Sequence, residues 1–173
     1  MDKEVEYKLT WYSAEEIKLE HQSIPITQVS CWVFTFDNKL ILVSKDAEKW
    51  SITAGHIEDR DSGLKAAAIR EVAEEAGLDI SSYSENIKMV GYYLVDTIDK
   101  SSRKVIDKNI QARFFVKINK RSKELNLRPN EREDKIEKVK YAKPFAIAEA
   151  LEKVKWMGKS GDFIEINKLL KLD

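Results

Sequence analysis

The feature that constrains this chain most is a helical stretch, LKAAAIREVAEEA, at residues 64–76. At about 100° per residue, its apolar side chains form one stripe, and its three glutamates occupy an arc of about 100° on the opposite side. Gly77 follows, a residue type that often ends helices in a left-handed conformation, with Leu78 packing back behind it. The pattern predicts a helix over 64–76 with one apolar face. The stripe holds Ile69, Val72, Ala73 and Ala76, and the arc holds Glu71, Glu74 and Glu75.

The crowding of these glutamates has two interpretations. Like charges three or four residues apart on a helix repel, so the cluster is either a plain solvated acidic face or a site that binds a cation. The helix has little positive charge on that side, and it follows a strand, KWSITAG, and a polar loop, HIEDRDSG. Carboxylate oxygens facing such a loop are ligands suited to Mg²⁺, which often bridges carboxylates and substrate phosphates.

The rest of the chain predicts an α/β fold with a mixed sheet and helices on both faces. A hairpin is expected where Asp37-Asn38 separates two apolar runs. The segment 99–109 and the segment 121–135 are expected to be loops. The predicted strands are TQVSCWVFTF, KLILVS, KMVGYYLVDTI, IQARFFVKI and EKVKYA; the other predicted helices are SAEEIKLEH, PFAIAEALEKVKW with Pro144 in its first turn, and a last one that starts at Ser160 or Asp162.

Composition excludes several classes of function. Thirty basic and thirty acidic side chains cancel, so no stable binding to a nucleic-acid duplex or an anionic membrane is expected. Cys31 is the only cysteine and lies in an apolar run, which indicates a buried thiol and no intrachain disulfide. The chain shows no signal-peptide core and no apolar run of about 18 residues. We expect a cytoplasmic enzyme or binding protein with one domain, 1–173, in which 1–25 is an N-terminal extension.

Residues 55–78, GHIEDRDSGLKAAAIREVAEEAGL, resemble the signature of the Nudix hydrolases, the Nudix box. The second half matches every fixed position of the pattern, and the first half matches at Gly55 and Glu58. The preceding KWSITAG is similar to the family's Trp-x-apolar-Pro-Gly-Gly, with Thr53 and Ala54 in place of Pro and Gly. The loop is one residue longer than the pattern, and Asp61 and Arg60 replace its usual Glu and Gly. The matching positions of the second half are Arg70, Glu71, Val72, Glu74, Glu75, Gly77 and Leu78.

The resemblance implies a Nudix-like α/β/α sandwich and Mg²⁺-dependent hydrolysis of a pyrophosphate bond in a nucleoside diphosphate linked to another group. Mn²⁺ is a common substitute for Mg²⁺. Carried over by position, the metal ligands are Glu71, Glu74, Glu75 and the main-chain carbonyl of Ala54. Glu71 or Glu75 orients the attacking water, and Glu133, from a distant loop, is the expected base. Arg70 and Gly77 have structural roles, Arg70 by pairing with a motif carboxylate.

The expected partner is a small nucleotide-type substrate. Trp50, Gly55, Gln111 and Arg113 are the candidate substrate-binding residues, on the premise that strand residues facing the motif helix line the cleft. Arg113 draws attention because it places a charge in an otherwise apolar run, QARFFV; an edge-strand charge that discourages aggregation is the alternative. The oligomeric state is open, and a homodimer is possible.

Two other functions compete with the hydrolase. One is a catalytically impaired Nudix-fold module that binds nucleotides or regulates a partner, which the longer loop favours and the intact glutamates oppose. The other is an isopentenyl diphosphate isomerase, which shares the fold. That enzyme requires a cysteine and further metal-binding histidines, whereas this chain has only Cys31, His21 and His56.

Overall fold

A mixed sheet forms the centre of the computed structural model, which describes residues 4–130 and 138–170. Within these ranges the strands run in the order β1-β6-β7-β2-β3-β4, with β5 paired to β2 and β8 paired to β3. β2 and β7 are parallel, and the remaining pairs are antiparallel. The strands are β1 (Val5–Tyr12), β2 (Ile26–Phe34), β3 (Lys39–Ser44), β4 (Trp50–Ser51), β5 (Thr53–His56), β6 (Lys88–Asp99), β7 (Val105–Lys117) and β8 (Tyr141–Ala146).

Helices cover both faces of the sheet, as predicted. Helix α1 (Leu64–Ala76) packs on one face, and α2 (Ile147–Lys153) and α3 (Gly161–Leu170) pack on the other. Alternate residues of β2 supply the two cores: Val29, Cys31 and Val33 belong to the α1 side, whereas Trp32 and Phe34 belong to the α3 side. This alternation follows from the two-residue period of a strand. The fold is therefore the expected α/β/α sandwich.

Helix α1 has the predicted bounds. Gly77 adopts φ 62°, and its N–H donates to the Ala73 carbonyl at 3.0 Å. A side chain at Gly77 would also overlap the backbone of Arg128, because the segment before residue 131 crosses the end of α1. There the Asn130 N–H donates to the Glu74 carbonyl at 2.7 Å. The left-handed cap thus ends the helix and leaves room for a second segment.

The N-terminal region differs from its prediction. The expected helix at 13–21 is absent, and only Leu19–His21 forms a short 3-10 turn. Residues 5–12 instead form β1, antiparallel to β6 from Val5↔Asp99 to Tyr12↔Tyr92. The Tyr92 hydroxyl accepts the Lys18 N–H at 3.3 Å and lies 2.7 Å from His21 Nδ1, so long-range contacts override the weak local helix signal.

Two further predictions were wrong. The segment 99–109 is mostly strand, because β6 runs to Asp99, β7 begins at Val105, and only a short turn joins them. Charged side chains suit such a hairpin, since much of it faces solvent. Pro144 lies in β8 opposite Ile41 and not in a helix; in the described structure β8 pairs only with β3, so a missing N–H is tolerated there. Helix α2 starts later, at Ile147.

Among the described helices, none combines the length and the apolar character needed to cross a membrane.

Candidate active site

The three glutamates of α1 are buried. Glu71 is 2% exposed, Glu74 is 9% exposed and Glu75 is 8% exposed. Charged side chains are rarely buried to this degree unless they are paired or bind a cation. The interpretation as a solvated acidic face is therefore excluded. The arc opposite the apolar stripe packs against protein.

The backbone of β5 lies against two of these carboxylates. The Ala54 N–H donates to Glu75 Oε2 at 2.8 Å. At Gly55, an added Cβ would overlap the Glu71 carboxylate, so only glycine permits this approach. β2 fixes the position of β5 through the register Val29↔Gly55 and Ser30↔Ala54. The strand and the helix thus bring two acids to one stretch of main chain.

Arg70 holds the loop between β5 and α1. Its guanidinium donates to both carboxylate oxygens of Asp61, at 2.8 and 2.9 Å, to Glu71 Oε1 at 2.6 Å and to the His56 carbonyl at 2.9 Å. The fork onto Asp61 lowers the pKa of that carboxyl, and the same hydrogen bonds raise the pKa of Arg70 despite its partial burial. Asp61 therefore takes part in positioning Arg70 and, through it, Glu71.

Arg60 makes a second set of contacts. Its Nη2 donates to Glu74 Oε1 at 3.0 Å, and its Nε donates to Glu58 Oε2 at 2.6 Å. The Arg60 side chain is 51% exposed, whereas that of Glu74 is 11% exposed. A guanidinium from the lengthened loop thus reaches one of the three motif acids.

The donor chemistry of this cluster fits a hard divalent cation. The buried carboxylates lie against the main chain at Gly55, where the absence of a side chain lets them approach closely. Their oxygens are the ligands that such ions take. Among residues 4–130 and 138–170, no three Asp, Glu, His or Cys side chains converge in the arrangement of a metal site as they stand. Arg60 and Arg70 contact the carboxylates instead. A cation at this cluster would share the Glu71 and Glu74 carboxylates with these arginines.

Substitution of Gly55 by alanine should destabilise the fold. The added methyl group would push the buried Glu71 carboxylate from its pairing with Arg70, and overpacking of this kind costs about 1–3 kcal/mol. The free energy of unfolding, measured by urea denaturation, tests this. Gly158→Ala is the matched control, because its Cβ would meet only Leu151 Cδ2, at 3.3 Å. Equal stability of Gly55→Ala and the native protein would contradict the close approach.

A cleft of about 930 Å³ opens beside Glu75 and Ala54. It is bounded by the end of β3, the turn before β4, and residues 138–140. Trp50 lines it as well, although this side chain is only 8% exposed and packs on Phe145 in the core of the α3 face. The volume lies within the range of small-molecule sites, about 300–1,000 Å³.

Gln111 and Arg113 lie on the opposite face of the sheet from α1, so the premise that they face the motif helix does not hold. Arg113 Nε lies 3.2 Å from Asp162 Oδ2 at the start of α3, and its other nitrogens donate to Ser30 Oγ and Gln111 Oε1, each at 3.1 Å. The Tyr93 ring lies beneath the guanidinium at 5.1 Å. A charge on a strand is thus accommodated by a buried polar cluster, not by an exposed edge.

The remaining candidates are placed as follows. Cys31 is buried, as predicted, and burial raises the pKa of its thiol to about 12, which opposes any role as a nucleophile and removes support for the isomerase alternative. Glu133 lies outside the described residues.

Sequence reasoning missed Arg60 and Asp162 as interaction partners. Asp61 differed from the motif by one methylene group, and that near match was the available signal for its bond to Arg70. Arg60 stood at a position where the family has glycine. The sequence showed this difference from the motif but not which residue Arg60 would contact. Nothing local distinguished Asp162 from a helix-start residue, because its partners come from three strands.

Comparisons with known proteins agree with this architecture. A family model described as NUDIX domain matches residues 24–162. No curated protein matches the chain significantly. The crystal structure of the Bacillus subtilis pyrophosphohydrolase BsRppH has a TM-score of 0.61 at 19% identity, covering 94% of this chain and 90% of that one.

Two other solved structures share the fold. The NUDIX domain of Shewanella oneidensis NrtR, complexed with ADP ribose, has a TM-score of 0.58 at 13% identity, covering 88% of this chain and 93% of that one. The Francisella tularensis bifunctional NMN adenylyltransferase/ADP ribose pyrophosphatase, complexed with AMP and a manganese ion, has a TM-score of 0.53 at 16% identity, covering 88% of this chain and 43% of that one. Since the family match spans most of the sequence and the fold agrees, the chain belongs to the Nudix family.

Proposed function

We propose that this Nudix-type hydrolase cleaves the pyrophosphate bond of a nucleoside diphosphate linked to another group, with a divalent cation bound at Glu71, Glu74 and Glu75. The observation that carries the proposal is the burial of three α1 carboxylates against β5 at the side of a cleft. Keeping three acids together in a protein interior costs free energy, and a cation-binding function accounts for that arrangement.

The roles proposed for this chain's residues follow from that arrangement. The three carboxylates and the Ala54 carbonyl would hold Mg²⁺, with Mn²⁺ as a substitute. A bound cation would neutralise phosphate charge and lower the pKa of a water molecule. Glu71 or Glu75 would orient the attacking water, and Glu133 remains the predicted base. Arg70 would position Glu71 through the contacts it shares with Asp61.

A small nucleotide-type molecule is the proposed substrate class. In support, the related NUDIX domain of NrtR was crystallised with ADP ribose and the Francisella enzyme with AMP. Gly55 lies against the Glu71 carboxylate, and Trp50 lines the cleft. Gln111 and Arg113 would contact the substrate only from the other face of the sheet.

The alternative is a module that binds a nucleotide without hydrolysing it. One observation favours it: Arg60, from the longer loop, contacts the motif glutamate Glu74. An arginine in place of a cation would preserve the fold of the site without its catalytic charge.

Turnover of a substrate panel separates the two. The native protein is incubated with ADP-ribose, nucleotide sugars, nucleoside triphosphates and dinucleoside polyphosphates, with Mg²⁺ or with EDTA, and products are resolved by chromatography. Mg²⁺-dependent release of a nucleoside monophosphate or of pyrophosphate supports the hydrolase. Tight nucleotide binding without turnover of any panel member supports the module.

Removal of the Arg60 charge should strengthen cation binding. Because Arg60 competes for Glu74, we expect Arg60→Gln to lower the dissociation constant for Mn²⁺ by about two- to fivefold, the range for a partly exposed ion pair. Isothermal titration calorimetry measures this directly. Arg103→Gln is the control, since Arg103 pairs with Glu6 at 3.3 Å on the surface. Unchanged or weaker Mn²⁺ binding in Arg60→Gln would show that the guanidinium does not compete.

A further inference from the structure

The cleft beside Glu75 is rich in lysine. Four lysines line it, Lys45, Lys49, Lys138 and Lys140, which we call the lysine quartet. In the described part of the chain, residues 4–130 and 138–170, the acidic side chains along the same cleft are Asp46 and Glu75. In a protein with equal numbers of acidic and basic residues, the described lining of the cleft thus carries an excess of positive charge next to the carboxylate site.

Two of the lysines sit on a turn with a well-defined backbone. Ser44 Oγ donates to the Lys49 carbonyl at 2.7 Å and accepts the Ala47 N–H at 2.9 Å. Asp46 Oδ1 accepts the N–H groups of Glu48 and Lys49 at 2.9 and 2.8 Å, and these bonds lower the pKa of Asp46. The Asp46 carboxylate therefore binds the main chain of its own turn.

The other two lysines border the cleft from a separate segment. Val139, between them, is 7% exposed and packs in the core of the α1 face, which anchors the segment. The Lys140 N–H donates to the Ser44 carbonyl at 3.0 Å, so this segment lies directly against the turn. The quartet thus comes from two chain segments joined by a main-chain hydrogen bond.

We propose that the lysine quartet binds phosphate groups beyond the scissile linkage, so that the protein prefers substrates with three or more consecutive phosphates over two-phosphate nucleotide sugars. This rests on the proposed function. A two-phosphate substrate has its charge concentrated at the carboxylate site, whereas a longer chain carries further anionic oxygens along the cleft. Lysine ammonium groups recognise such charge without fixing its orientation, which suits a flexible polyphosphate.

The test compares kcat/KM for substrates that differ in phosphate number. ATP, diadenosine tetraphosphate and a 5′-triphosphorylated RNA oligonucleotide represent the three sources of a longer chain, and ADP-ribose represents two phosphates. In Lys138→Ala/Lys140→Ala and in Lys45→Ala/Lys49→Ala we expect kcat/KM for the preferred long-chain substrate to fall by about tenfold, as two partly screened ion pairs would produce. ADP-ribose turnover should change by less than about twofold. Lys104→Ala/Lys155→Ala, at exposed positions outside the cleft, is the control.

Binding of inorganic tripolyphosphate separates this inference from the proposed function. If no panel member is hydrolysed but calorimetry shows tripolyphosphate binding that both quartet variants weaken, the lysine site stands and the hydrolase does not. If substrates are hydrolysed but the quartet variants lower all activities equally or not at all, the hydrolase stands and the phosphate-number preference is overturned. Loss of the preference in the control variant would also overturn it.

Discussion

Glu75→Gln is expected to lower kcat for the preferred substrate by about 10²–10⁴-fold, the range for loss of a group that acts on a proton or a reacting water. Glutamine keeps the oxygen that accepts the Ala54 N–H, so the strand–helix contact survives while the negative charge is lost. The melting temperature should therefore remain near the native value. Steady-state kinetics with Mg²⁺, together with Mn²⁺ titration, measures the two effects.

Two further variants define this result. Glu74→Gln should also lose activity, and it additionally removes the charge that pairs with Arg60, so its Mn²⁺ affinity and its kcat need not fall together. Glu152→Gln, at an exposed position on α2, is the control and should retain native kinetics. If Glu75→Gln hydrolyses substrate at the native rate with an unchanged metal requirement, the catalytic cation does not bind at this face of α1.

Local signals predicted α1 and its termination fully. The apolar stripe and the terminating glycine are both encoded within 14 consecutive residues, 64–77, and the helix ends where Gly77 turns left-handed. The hairpin of β2 and β3 was predicted for the same reason, since its turn pair lies between two apolar runs and Asn38 takes φ 57°.

Elements that depend on distant partners were not predictable in the same way. β1 becomes a strand because β6 offers an edge 80 to 94 residues away along the chain, from Tyr12↔Tyr92 to Val5↔Asp99. The charges of segment 99–109 indicated a loop, but a long antiparallel hairpin tolerates them. Pro144 was assigned to a helix because the local sequence does not show that its segment pairs with β3. That position in the sheet becomes clear only in the assembled fold.

The same distinction applies to the candidate site. Its acids lie within one turn and a half of a helix, so periodicity and motif spacing identified them as a cluster. Arg60 and the lysine quartet come from separate loops, and only the fold brings those loops to the acids. Repulsion among the glutamates was expected to be relieved by metal, whereas the structure pairs Glu71 and Glu74 with two arginines.

Asp162→Ala should produce the largest loss of stability, about 3–5 kcal/mol, because it removes one partner of a buried ion pair. Asp162 is fully buried and accepts hydrogen bonds from Trp32 Nε1 at 3.1 Å, Arg113 Nε at 3.2 Å and the Tyr93 hydroxyl at 3.2 Å. Burial lowers the pKa of Arg113, and the charge of Asp162 opposes that shift. Without Asp162 the guanidinium stays buried among uncharged partners. Chemical denaturation gives the free energy, and the melting temperature should fall by about 10 °C.

The matched variants decide whether this loss reflects the pair or a general loss of packing. Asp107→Ala, at an exposed position of β7, should change stability by less than about 0.5 kcal/mol. Arg113→Met/Asp162→Leu, which replaces both charges by apolar groups, should be more stable than Asp162→Ala, because neither charge is left alone. If the double variant is as unstable as the single one, the cluster acts through shape and not through charge. If folded Arg113→Met shows a higher KM at unchanged kcat, Arg113 contacts the substrate in addition to its structural role.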